Sequence, residues 1–167
     1  VQDAFAIDEW NLQINSMHEG KSVAFRDSEW TMLEPMTVTK LDSWKNLNPD
    51  WAKTVGIGTY IATFTLDKGW DEGCGVTISL GEVEDTYTVT VNGVKLPMVD
   101  QINTTVDIGK YVKAGENTIK VEVSSVIGAR NGFGMFGVNG EVIVTPYAVA
   151  AVKEAVQSVC APEAVTV

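Results

Sequence analysis

The chain has 167 residues, 45% hydrophobic and 20% charged, enough to bury one core in a single domain without disulfide or metal staples. Its net charge of −10 argues against nucleic acids and anionic membrane surfaces as partners, because both bind through Lys and Arg, outnumbered here 22 to 12 by Asp and Glu. No apolar run is long enough to span a bilayer, so membrane insertion is not expected; nothing resembles a signal peptide, and any targeting signal is expected to lie outside this segment. The acidity favours solubility, and a monomer is the expected state.

The first strand signals are "EWNLQIN" (9–15) and "MTVTKL" (36–41). A long loop, "SWKNLNPDWAKTVGIG" (43–58), precedes the best-ordered part of the sequence. There Tyr60, Ala62, Phe64 and Leu66 alternate with Ile61, Thr63 and Thr65, a period of two that puts one set on each face of a strand. After the turn "DKGWDEGCG" (67–75), Val76, Ile78 and Leu80 alternate with Thr77 and Ser79. Beyond "GEVED" (81–85), Tyr87, Val89 and Val91 alternate with threonines as far as Asn92-Gly93, the dipeptide best suited to a tight hairpin turn.

"TTVDI" (104–108) reads as a short strand and "KAGEN" (113–117) as a turn. Ile119, Val121 and Val123 mark another strand, and "GEVIVTPY" (140–147) closes the series, with Pro146 suiting a strand end or an edge. Strands at intervals of roughly 8–15 residues without intervening helical patterns predict an all-β, antiparallel sandwich over residues 1–147. In residues 148–167, Val149, Val152, Val156 and Val159 recur at helical spacing, which reads as a short C-terminal helix or a linker to a following module. The start at Val1 rather than Met and the Ala/Val-rich end read as a segment of a longer polypeptide. Cys74 and Cys160 match no disulfide framework and are expected to be unpaired thiols. With His18 the sole histidine and no CxxC pair, a zinc site is not expected.

"GTYIATFTL", "GVTISLGEVEDTYTVTVNGVKL" and "TTVDIGKYVKAGENTIKVEV" together resemble the sugar-binding domain of family 2 glycoside hydrolases and the accessory β-sandwiches of rhamnosidase-like enzymes. The family's elements fall, in order, at Thr59–Phe64, Leu80–Val83, Val89–Gly93, Val106–Ile108 and Gly115–Asn117 through Val123, and the resemblance spans Trp44 to Tyr147. It implies a jelly-roll-like, galactose-binding-like sandwich that assists a catalytic barrel located elsewhere. A carbohydrate ligand, neighbouring domains of the same polypeptide, and a place outside the cell or at its surface follow as expectations. The chain departs from the pattern after Val123. In β-galactosidase-like members an acidic or aromatic loop residue there serves the neighbouring active site, whereas this chain has "SSVIGARNGFGMFGVNG" (124–140).

If successive antiparallel strands alternate in direction, their loops sort to two ends. Asn92-Gly93, 67–75 and 109–117 share one end; 43–58, 82–85, 100–103 and 126–137 share the other. The second end gathers aromatics, acids, amides and an arginine, the mixture that holds a saccharide. Trp44 and Trp51 are candidate stacking platforms, although tryptophans near strand starts also serve as core caps. Glu84 and Asp85 are candidate hydroxyl acceptors. Arg130 and Asn131 are candidates for bidentate contact with hydroxyls, with a brace from Arg130 to Glu84 or Asp85 as the alternative. Phe133, Met135 and Phe136 are expected to straddle loop and core.

A glycosidase needs two carboxylates facing each other across a cleft at roughly 5–10 Å, and a convex sandwich end offers none. His18 lies far from any nucleophile motif. The isolated chain is therefore expected not to be an enzyme. No cofactor is implied; calcium that ties loops is compatible with such sandwiches, but no DxDxDG-type loop names its ligands. Two roles stay open: a carbohydrate-binding or accessory module of a glycoside hydrolase, or a structural or adhesive sandwich that braces neighbouring domains without binding sugar.

Overall fold

Alternation decides the architecture, because each strand has one face that must leave water. A computed structural model describes residues 1–19, 28–71, 73–125 and 132–149. In chain order its strands are β1 (Phe5–Ala6), β2 (Trp10–Glu19), β3 (Ser28–Met32), β4 (Met36–Val38), β5 (Val55–Leu66), β6 (Cys74–Ser79) and β7 (Glu82–Glu84). They continue with β8 (Thr86–Val91), β9 (Val94–Lys95), β10 (Thr105–Asp107), β11 (Gly115–Ser124), β12 (Gly137–Asn139) and β13 (Ile143–Ala148). Between β4 and β5 lie a single helical turn, α1 (Trp44–Leu47), and a 3-10 turn (Pro49–Trp51).

Among the described residues the strands form two principal antiparallel sheets. The larger runs β3-β2-β5-β11-β8-β9, with β4 also on β2; the smaller runs β1-β13-β6-β10; β12 and β7 make a separate pair. Tyr60, Ala62, Phe64 and Leu66 on β5 are buried, while Ile61, Thr63 and Thr65 face out. Val76, Ile78 and Leu80, Tyr87, Val89 and Val91, and Ile119, Val121 and Val123 are buried in the same register. All belong to one core cluster drawn from both sheets, so the two apolar faces pack on each other as the all-β sandwich predicts. Each fully buried Val, Leu, Ile or Phe contributes about 1.5–3 kcal/mol relative to exposure, which makes this core the main source of stability.

Two local features follow from single residues. Pro146 pairs with Val76 of β6 at a point where β13 has run past its two-residue pairing with β1, so its missing N–H falls beside an unpaired stretch. Asn92 (φ 48°) and Gly93 (φ 81°) both take left-handed backbone and join β8 to β9 with Val91 opposite Val94, the geometry of a two-residue hairpin. The strands β1, β3, β7 and β12 and the turn α1 were not legible in the sequence: all are short, and none alternates long enough to show a period. Of the helix or linker expected at 148–167, residues 150–167 fall outside the described residues, as does Cys160; β13 itself extends to Ala148, and Cys74 is half-buried at the start of β6.

Candidate functional site

The loops sort to two ends as strand direction requires. At one end the backbone N–H of Trp44 donates to the Phe136 carbonyl at 2.9 Å, and Lys45 Nζ reaches the Phe133 carbonyl at 3.4 Å. The Met135 N–H donates to Glu84 Oε2, and Asn139 Nδ2 donates to the Met135 carbonyl at 2.6 Å. β7 and β12 pair with Gly137 opposite Glu84, Val138 opposite Val83 and Asn139 opposite Glu82. The loop before β10 joins them: Tyr87 N–H donates to Gln101 Oε1 at 2.9 Å, the Tyr87 hydroxyl to the Asp100 carbonyl, and the Thr104 hydroxyl to the Gly81 carbonyl. Desolvation, and secondarily the Asp100 charge, raise the Tyr87 phenol above its ordinary range.

These contacts correct the residue roles expected from sequence. Trp44 is not a stacking platform: it is 1% exposed, its Nε1–H donates to the Tyr60 hydroxyl at 2.9 Å, and glycines crowd its indole. A Cβ on Gly58 would stand 2.5 Å from its Cζ2, and one on Gly137 would stand 2.9 Å from its Cδ1. The core-cap alternative describes it. Trp51 is half-buried and packs against the core from the 3-10 turn. Glu84 is exposed, but one carboxylate oxygen serves the Met135 N–H, so it ties loops together. Asp85 is half-buried with φ 76°, forming the corner between β7 and β8. Arg130 and Asn131 lie outside the described residues. Phe136 is buried while Phe133 and Met135 are exposed, so this trio does straddle loop and core. What remains at this end is a cavity of about 380 Å³ bordered by Glu82, Glu84, Ile102, Thr104, Met135 and Asn139.

A larger cavity, about 940 Å³, lies at the opposite end on the outer face of the smaller sheet. Trp70, Asp71, Asp107, Lys110, Lys113 and Tyr147 border it. Tyr147 of β13 sits opposite Gly75 of β6 and lies over it; a Cβ on Gly75 would be 2.1 Å from the ring. The tyrosine hydroxyl donates to Asp107 Oδ2 at 2.5 Å, and Asp107 Oδ1 accepts the Gly109 N–H at 2.8 Å. The bond to Asp107, with lesser contributions from desolvation and the carboxylate charge, raises the Tyr147 phenol above its usual range.

One side of this cavity is the 109–117 loop, and a buried amide holds it. Asn117 Oδ1 accepts the Lys113 N–H at 2.9 Å and Asn92 Nδ2 at 2.8 Å, while its Nδ2 donates to the Lys113 and Gly115 carbonyls at 2.8 and 2.9 Å. Asn92 in turn donates to the Tyr111 carbonyl and accepts the Thr118 N–H, both at 2.9 Å. Strand direction groups 67–75 and 109–117 at this end, as expected from sequence. From sequence Tyr147 reads only as the end of a strand, because its place depends on the pairing of β13 with β6. Among the described residues, no three His, Cys, Asp or Glu converge to hold a metal ion, and no helix is long and apolar enough to cross a membrane. His18 bonds Thr31 Oγ1 at 2.8 Å, across the β2–β3 pair.

The geometry can be set beside known proteins. The sequence model of the "Glycosyl hydrolases family 2, sugar binding domain" matches residues 3–144. Among solved structures, a rhamnosidase from Novosphingobium sp. PP1Y superposes with a TM-score of 0.64 at 20% identity, over 87% of this chain and 15% of that one. A β-glucuronidase from Faecalibacterium prausnitzii gives 0.57 at 12% identity, over 87% and 31%. A β-D-glucuronidase from Dictyoglomus thermophilum gives 0.56 at 16% identity, over 89% and 29%. The chain thus spans less than a third of the length of each of these structures, and at such identities the likeness is one of fold. No curated protein matches by sequence. With a family match over nearly the whole sandwich and the same fold in these structures, the chain belongs to the sugar-binding domain family of the family 2 glycosyl hydrolases.

Proposed function

We propose that the chain is a non-catalytic carbohydrate-binding module that serves a glycoside hydrolase, working outside the cell or at its surface beside other domains of the same polypeptide. The match to the family 2 sugar-binding domain over residues 3–144 carries this reading. Two further points support it. In the rhamnosidase and the β-glucuronidases a sandwich of this fold occupies between 15% and 31% of a longer chain, as an accessory part would. At the loop end Glu84 has one carboxylate oxygen engaged by the Met135 N–H, which ties it to the 132–137 loop.

A second reading, that the module braces neighbouring domains, has its own observation. Ile102 is 95% exposed and Phe133 86% exposed, both at the loop end where Met135 also shows its side chain. Apolar side chains gathered this way suit a contact with another protein surface. The deciding experiment is a glycan array followed by affinity electrophoresis of the chain. Retention by at least one glycan is expected, with affinity near the millimolar range of about −4 kcal/mol that single exposed sites reach. Binding to no glycan would leave the bracing role.

A further inference from the structure

The cavity at the turn end has the parts of a saccharide site, and its tyrosine, its carboxylate and its loop are held by contacts within the protein. The Tyr147 ring is seated on Gly75 and anchored at its tip by Asp107, which the Gly109 N–H holds in turn. The residue is still 37% exposed, which leaves ring surface to the cavity. A flat ring seated on a glycine and hydrogen-bonded at its tip is a platform for the apolar C–H face of a pyranose, and such preorganisation lowers the entropic cost of binding. Trp70 supplies a second aromatic border, and the 109–117 loop a third, stiffened by Asn117.

The charges around the ring narrow the ligand. Each Asp107 oxygen already accepts one hydrogen bond and has capacity for another, so the carboxylate can still take a sugar hydroxyl. Lys110 and Lys113 border the cavity as donors, and neither is in an ion pair with a described carboxylate. Asp71 and Asp107 against Lys110 and Lys113 cancel, so the lining presents acceptors and donors without a net charge. The chain as a whole carries −10. An acidic sugar would meet no surplus of positive charge in the cavity and a repulsive field around it, felt over a Debye length of about 8 Å at physiological salt. Hydroxyl groups, which both donate and accept, fit such a lining.

We infer that this cavity, and not the loop end, is a binding site for a neutral glycosyl unit, stacked on Tyr147 with its hydroxyls on Asp107 and Lys110. The inference rests on the carbohydrate-binding reading above and adds the place and the sugar class.

Saturation-transfer NMR of the whole chain with D-glucose, D-galactose and L-rhamnose, each against D-glucuronate and D-galacturonate, tests it. At least one neutral sugar should bind, and Tyr147→Ala and Asp107→Asn should each weaken it by about tenfold, the equivalent of 1.4 kcal/mol. In Asp107→Asn the amide oxygen can keep the Gly109 N–H while Nδ2 donates to the tyrosine oxygen, so it guards against a variant that only misfolds. Glu84→Gln at the loop end should leave binding unchanged. A uronate as the strongest ligand, or neutral-sugar binding that survives both cavity substitutions, overturns this site and leaves carbohydrate binding standing. No binding by any of the five sugars, together with none on a glycan array, overturns both.

Discussion

Asn92 and Asn117 meet side chain to side chain, amide to carbonyl at 2.8 Å, and so bolt the β8–β9 hairpin to the loop that precedes β11. Asn92 holds left-handed backbone at the turn, and Asn117, almost fully buried, has both amide hydrogens and its oxygen engaged. The two residues lie 25 positions apart, and their contact fixes the wall of the cavity that Lys110 and Lys113 border.

Replacing Asn117 by Ala should therefore cost about 3 kcal/mol, since four hydrogen bonds, to the Lys113 N–H, Asn92 Nδ2 and the Lys113 and Gly115 carbonyls, are lost at roughly 0.5–1.5 kcal/mol each. Urea denaturation measures the loss, and faster hydrogen exchange at the Lys113 amide should accompany it. A change below about 1 kcal/mol would mean water replaces the amide without penalty.

The Tyr60 hydroxyl accepts from Trp44 Nε1 at 2.9 Å and from the Val138 N–H at 3.2 Å. Tyr60→Phe strands both donors and should destabilise by about 2–4 kcal/mol. Because one of those donors belongs to Trp44, adding Trp44→Phe to Tyr60→Phe should cost less than Trp44→Phe does in the wild type. Strict additivity of the two substitutions would show that the bond contributes nothing.

Burial pushes the Tyr60 phenol up to about 12, against hydrogen bonds from Val138 and Trp44 that pull the other way. Below pH 10 the phenol is protonated in both folded and unfolded chains and does not affect their balance. Above it the unfolded chain ionises first and binds fewer protons, so stability falls as pH rises from 10 toward 12, by about 3 kcal/mol at the top of that window. Denaturation midpoints across alkaline pH should show the decline in the wild type and a shallower one in Tyr60→Phe.

Gly58→Ala should be destabilising although alanine suits a strand no worse than glycine, because its methyl would stand 2.5 Å from the Trp44 ring. Overpacking of this kind costs about 1–3 kcal/mol. Near-ultraviolet dichroism, which reports the setting of buried tryptophans, should change with it. An unaltered spectrum and midpoint would indicate that the indole has room to shift.

What could be read from sequence was set by period and by turn chemistry. Tyr60–Leu66 or Ile119–Val123 can be a half-buried strand from alternation alone, and Asn92-Gly93 names its own turn. The direction of those strands then sorts the loops, so the grouping of 43–58 with 82–85 and 132–137 was within reach. Side-chain roles were not, because they depend on contacts distant in sequence. Trp44 looks like a surface aromatic in a polar loop, yet Gly58 and Gly137 make the pocket that swallows it. Glu84 looks available until the Met135 N–H arrives from 51 residues away. Tyr147 gains its place only because β13 lies beside β6, a pairing that no local pattern announces.

The pairing of β1 with β13 also settles how the module responds to tension. Among the described residues the first strand and the last are hydrogen-bonded neighbours, joined through only Phe5 with Val144 and Ala6 with Ile143. They run antiparallel, so traction on the two flanks acts at one corner and opens these pairs one after another, as a zipper opens, instead of loading them all at once. The long ladder of β2, β5 and β11 lies in the other sheet and takes load only after β1 has come away. Stretched between two partners, the sandwich would release a short strand at its margin and keep its ten-pair seam from Gly115–Leu66 to Ser124–Ile57 intact, yielding slack before it yields structure.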